Sequence, residues 1–130
     1  MYIRFVASEV HPDSQSEVGV FHAIGYLHDD GKLYAYEAEE YSSIRRWFDQ
    51  NLNEPSRLTT GKPPFKRRKN TAISWFKDSA STHLEKIRSL VAILENHGVS
   101  VQMLTTEKVG YILYEDEYQI VAEPFRGGRG

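Results

Sequence analysis

Hydrophobic positions along this chain keep two different periods, and the switches between them divide it into predicted elements. Tyr2 to Ala7 alternates, with Ile3, Phe5 and Ala7 on one side, which is the period of a strand. His11-Pro12-Asp13-Ser14 reads as a turn. Ser14 followed by Glu17 has capping-box spacing, so a helix is expected to start there. Val20, Ile24 and Leu27 then recur every three or four residues, with Phe21 beside them, and Asp29-Asp30-Gly31 closes the helix.

A second helical pattern runs from about Leu33 to Asn53. Tyr34, Ala38, Tyr41, Ile44, Phe48 and Leu52 line one side; Glu37, Glu39, Glu40, Arg45, Arg46 and Asp49 fall largely on the other. Pro55 stops it at or before Glu54, because the residue before a proline avoids the helical region. A third helix carries the stripe Leu84, Ile87, Val91 and Leu94, and His97-Gly98 closes it. Its start has two readings. Thr71 is one cap; Thr82 with Glu85 is the other, and then Ala72 to Phe76 is extended.

The last third returns to period two. Val99, Val101 and Met103 alternate, and Gly110 to Tyr114 and Tyr118 to Glu123 are rich in Ile, Leu, Val and Tyr around the turn Glu115-Asp116-Glu117. Pro124 ends the pattern. The order predicts one α+β domain over residues 1–130. Its sheet is expected to be mostly antiparallel and four-stranded: an N-terminal strand plus a C-terminal three-strand meander, packed by three helices. The expected core is Phe5, Phe21, Ile24, Tyr41, Ile44, Phe48, Leu84, Ile87, Val91, Leu94, Ile112 and Ile120.

Composition adds limits. Aromatics at 12% and hydrophobics at 40% suit a packed domain, not a disordered chain. The absence of cysteine excludes disulfides, thiolate metal sites and a thiol nucleophile, and fits a cytoplasmic protein. Met1 to Val10 carries Arg4 and Glu9 without a long apolar run, so no signal peptide and no membrane span are expected.

Charge changes the picture most. Pro55 to Lys77 contains no acidic residue and seven of the sixteen Lys and Arg; the other nine face all eighteen Asp and Glu. The segment is thus +7 and the remainder −9, although the formal total is −2. Such polarity speaks about partners, not fold. Residues of about 55–71 read as a long loop, with Gly61, Pro63-Pro64 and no apolar period. Arg57, Lys62, Lys66, Arg67, Arg68, Lys69 and Lys77 are the residue types that neutralise phosphates. Phe65 and Trp75 supply flat rings on which bases stack. These nine are the candidate ligand-binding residues, for nucleic acid or another phosphate-rich ligand. The bland reading is a solvated loop, or one docked on the protein's own acidic surface. In the Trp75-Phe76 pair, Phe76 is expected to pack and Trp75 to stay partly exposed. Arg126-Gly127-Gly128-Arg129-Gly130 resembles a single Arg-Gly-Gly unit, and residues of about 126–130 are expected to fray.

Nothing else carries a reaction motif. No pair among His11, His22, His28, His83 and His97 has helical metal-site spacing, and no metal or cofactor is expected. His22 reads as half-buried, His97 as a cation at a helix end. The clusters Glu37-Glu39-Glu40 and Glu115-Asp116-Glu117 read as solvated faces. Three functions stay open. The first is a small non-catalytic polyanion-binding protein acting through 55–77. The second is a protein-interaction module of inhibitor, immunity or antitoxin type, using the acidic, Tyr-rich surface on a protein partner. The third is a small enzyme assembled from dispersed His, Tyr and carboxylates.

Overall fold

A computed structural model describes residues 1–7, 18–53 and 72–125. The order is β1 (Tyr2–Ala7), β2 (Val18–Gly19), α1 (Val20–Asp29), α2 (Ala35–Asn51), β3 (Ile73–Lys77), α3 (Ser81–Asn96), β4 (Val101–Thr106), β5 (Tyr111–Glu115) and β6 (Gln119–Glu123). All strands join one antiparallel sheet. The path runs β2-β1-β3-β6-β5, with β4 on the other edge of β1. Among the described residues the fold is α+β with three helices, as the sequence pattern predicts.

Two expectations need correction. Among the described residues the sheet has five full strands, not four, together with the two-residue β2. The added strand is β3, the second of the two readings of the segment before the third helix: Ala72 to Phe76 is extended, and α3 begins at Ser81. Nor do the last three strands form a meander. β5 and β6 pair as a hairpin, but β4 pairs along the whole of β1, from Tyr2↔Thr106 to Ala7↔Val101. The N-terminal strand offers β4 six partners in register, and β3 takes the edge of β6 that a meander leaves open.

This topology coils the sheet. β4 ends at Thr106 on one edge and β5 begins at Tyr111 on the other. Five extended residue steps reach at most about 18 Å. Four strand spacings alone amount to about 19 Å, so a flat sheet cannot be connected this way. β1 and β3 share two register pairs, Tyr2↔Lys77 and Ile3↔Phe76, before β1 turns to β2 at Val6 and Ala7. Gly110 makes the entry to β5 possible. Its φ is +118°, and a Cβ there would lie 2.1 Å from the Glu123 carbonyl oxygen, so only glycine fits.

The helices cover one face. Ala23 and Ile24 of α1, Tyr41, Ile44 and Phe48 of α2, and Ile87, Leu90, Ile93 and Leu94 of α3 form one buried cluster with Ala7. Phe5, Phe21, Phe76 and Val91 pack against it, partly buried. Helical spacing therefore places nearly all of the expected core correctly. Ile112 is the exception. It lies on the edge strand β5 and is 55% exposed, because no strand covers that edge among the described residues. His22 is exposed on α1, not half-buried. Helix α3 ends in a glycine-closed turn: Gly98, at φ +80°, donates its N–H to the Glu95 carbonyl, and Val99 N–H reaches the Leu94 carbonyl.

Candidate functional site

Strand alternation sorts the candidate residues on β3. Phe76 points to the helices, its ring centroid 6.2 Å from those of Phe48 and His83. Trp75 and Lys77 therefore point to the opposite face. Register extends that face across the sheet. Tyr2 lies beside Lys77, and Ile120 lies between Trp75 and Glu115. Val6, Ile120 and Ala122 belong to this face by the same alternation, and all three are buried. Trp75 is partly buried; its indole N–H is itself buried and has no hydrogen-bond partner among the described residues. Its partial exposure and the packing of Phe76 agree with the expectation, although the element is a strand, not a helix.

Lys77 is engaged. Its Nζ lies 2.7 Å from a Glu115 carboxylate oxygen, with the side chains 25% and 44% exposed. The hydrogen bond to Glu115 outweighs desolvation and raises the Lys77 pKa, so the amine is charged at neutral pH. The structure thus brings Trp75 and Lys77 together on one face. Arg57, Lys62, Phe65, Lys66, Arg67, Arg68 and Lys69 lie outside the described residues, as do the expected turn at His11 to Ser14, the expected loop and the C-terminal tail.

The buried polar groups lie elsewhere. Glu37 is 1% exposed, which corrects its expected place on a solvated face. It is the third residue of α2. One oxygen accepts from Tyr34 N–H at 2.9 Å and contacts His97 Nε2 at 2.7 Å; the other accepts from Asn96 Nδ2 at 3.0 Å. Burial pushes its pKa up, but the bonds from His97, Tyr34 and Asn96 outweigh it, and the net shift is downward. The carboxylate ties the first turn of α2 to the end of α3. His97 thus pairs with this buried acid.

His83 fills a second polar position in the core. It is 4% exposed. Tyr118, Trp47, Phe48 and Phe76 surround its ring, with Tyr118 nearest at 4.3 Å between centroids. Its Nε2 lies 2.9 Å from the Asn51 carbonyl oxygen. A carbonyl only accepts, so Nε2 carries a proton. This is a satisfied core histidine.

Asp116 organises the turn into β6. Its carboxylate accepts from the N–H groups of Tyr118 and Gln119, from the Tyr114 hydroxyl at 2.8 Å and from Gln119 Nε2. Beside it opens a cleft of about 410 Å³, lined by Asp49, Asn51, Asn53, Asp116, Glu117 and Tyr118 at the C-terminal end of α2. Three carboxylates and the negative end of a helix make it repel phosphate.

Sequence reasoning missed Glu37 and His83, yet signals existed. Glu37 stands three residues after Tyr34, where a glutamate reaches back to the first free N–H of a helix. His83 stands four residues before Ile87 on the α3 stripe. Among the described residues, no cluster of three or more His, Asp or Glu is placed to hold a metal ion, and no helix is long and apolar enough to cross a membrane. The chain matches no protein-family model, no curated protein and no solved structure.

Proposed function

We propose that the protein is a non-catalytic module that binds single-stranded nucleic acid through the segment 55–77 and the sheet face on which that segment ends. One observation carries the reading: a +7 run without a single acid leads directly into β3, where Trp75 and Lys77 share the face opposite the helices. Lysine and arginine neutralise the backbone, and an aromatic ring receives a base. Tyr2, beside Lys77, adds a second ring to that face. Backbone contacts carry little base information, so binding is weakly sequence-selective.

The test is a fluorescence-anisotropy titration of labelled single-stranded DNA and RNA at several salt concentrations. If Lys66, Arg67, Arg68 and Lys69 meet three or four phosphates, log K falls against log salt with a slope of about −2 to −3. Replacing all four by Gln flattens the slope and leaves the melting temperature nearly unchanged. Trp75→Leu keeps apolar volume on the sheet and weakens binding by about 1 kcal/mol or more. Absence of saturable binding at about 50 mM salt ends this reading, since non-specific phosphate contacts are strongest there.

A protein-interaction module is the second reading. Tyr34 and Tyr36, 60% and 65% exposed, stack in parallel at 6.2 Å beside the acidic face of α2. Rigid exposed tyrosines are good interface anchors. A stoichiometric protein that copurifies and protects both tyrosines from modification favours it.

A further inference from the structure

We infer that Glu115 is an intramolecular stand-in for a ligand phosphate, occupying Lys77 until a bound strand displaces it; this rests on the nucleic-acid reading above. The carboxylate–ammonium separation of 2.7 Å is that of a charge-assisted hydrogen bond. A phosphate oxygen bound by lysine makes the same kind of contact. The pair spans β6, because β3 and β5 are the two neighbours of that strand. It therefore lies over the face that carries Trp75. Glu115 sits opposite Ile120, whose other neighbour is Trp75. Trp75 and Lys77 are two residues apart on one strand face, about 6.7 Å, so a nucleotide seated on the indole brings a phosphate within reach of the amine.

Exposure makes the exchange possible. Both side chains of the pair are open to solvent, at 25% and 44%. Exposed ion pairs contribute little to folding, so losing the carboxylate contact does not loosen the sheet. Glu115 cannot leave the neighbourhood, because Asp116 fixes the following turn through Tyr118, Gln119 and Tyr114. The acid therefore competes at every encounter. It lowers affinity for any polyanion and returns to Lys77 when the strand departs.

The experiment measures anisotropy of a labelled oligothymidylate across a salt series for wild type, Glu115→Gln, Lys77→Gln and the double variant. Glu115→Gln is expected to tighten binding about fivefold near 100 mM salt and to steepen the salt slope by about 0.7, the signature of one more phosphate contact on a single strand. Adding Lys77→Gln is expected to erase that gain. An equal gain in the Lys77→Gln background means that Glu115 merely adds negative charge, and overturns the inference. So does wild-type binding that Glu115→Gln leaves unchanged. A large drop in melting temperature for Glu115→Gln identifies a structural strap and overturns it as well. If neither wild type nor Glu115→Gln binds at about 50 mM salt, the nucleic-acid reading itself falls and the inference with it.

Discussion

On one side of the sheet, Phe5, Ala7 and Phe76 meet three helices; on the other, Trp75 and Lys77 lie with Val6, Ile120, Ala122 and the Glu115 carboxylate. On the first side, among the described residues, the buried side-chain polar groups are paired. Glu37 has three donors, and His83 has a carbonyl for its Nε2 proton and four rings around it. The second side differs: among the described residues the buried Trp75 indole N–H has no partner, and the Lys77–Glu115 ion pair is reached by solvent. Buried polar groups are costly unless they are paired, so a surface built for stability pairs them. On the second side the solvent-reached charge is Lys77, held by Glu115. Under the proposed function, the contrast separates stability from recognition across one sheet, and variants on each side test it.

The largest effect belongs to the helix side. Leu94 is fully buried among residues of all three helices. Leu94→Ala removes packing and leaves a cavity, at an expected cost of roughly 2–5 kcal/mol in a denaturant titration. A loss below about 0.5 kcal/mol places no core at Leu94 and breaks the comparison at its stronger end.

Glu37→Gln comes next. It keeps the shape but replaces a carboxylate that accepts three hydrogen bonds, so at least one of the three donors loses its partner. Such orphaned buried groups cost about 1–3 kcal/mol. The pH dependence sharpens the point. The folded-state pKa of Glu37 is below its ordinary value of 4.5, so the unfolded chain takes up the proton first as pH falls. The stability Glu37 adds is fully present above pH 4.5 and is lost as pH falls from there through the lower folded-state value. In Glu37→Gln this acid-side loss is smaller. Equal acid sensitivity of wild type and variant assigns it to other carboxylates.

How legible this was in the sequence follows the same division. Helices announce themselves through many repeats of one period, and Ile24, Ile44, Ile87 and Leu94 all lie where spacing puts them. β3 has five residues, and its apolar positions also satisfy a helical register from Ile73 through Phe76 and Ala80 to Leu84. Only the partner strands decide between the periods, and pairing is long-range. The placement of β4 beside β1 is likewise a matter of partners rather than local pattern. Trp75 and Lys77 were legible as residue types, but not their shared face. Glu115 was read as a solvated turn residue, because a contact across β6 leaves no mark in the sequence.

The smallest effect is expected where the sequence pattern and the structure disagree about burial. Ile112 and Ile120 both lie in runs rich in Ile, Leu, Val and Tyr, and the strand reading assigns both to the core. In the sheet they part. Ile120 sits on β6 between β3 and β5 and is 1% exposed; Ile112 sits on the edge strand at 55%. Ile112→Thr keeps the β-branch that suits a strand and exchanges an ethyl group that solvent already reaches for a hydroxyl. Its cost is expected to stay within about 0.5 kcal/mol, the range of surface substitutions. The same change at Ile120 buries an unpaired hydroxyl beside Trp75 and is expected to cost about 1–3 kcal/mol. A denaturant titration of the two variants measures both. A cost at Ile112 as large as at Ile120 means that the β5 edge is covered, by another part of the chain or by a second copy. Hydrogen exchange of the β5 amides then tells these apart, because protection by a second copy falls on dilution and protection within one chain does not.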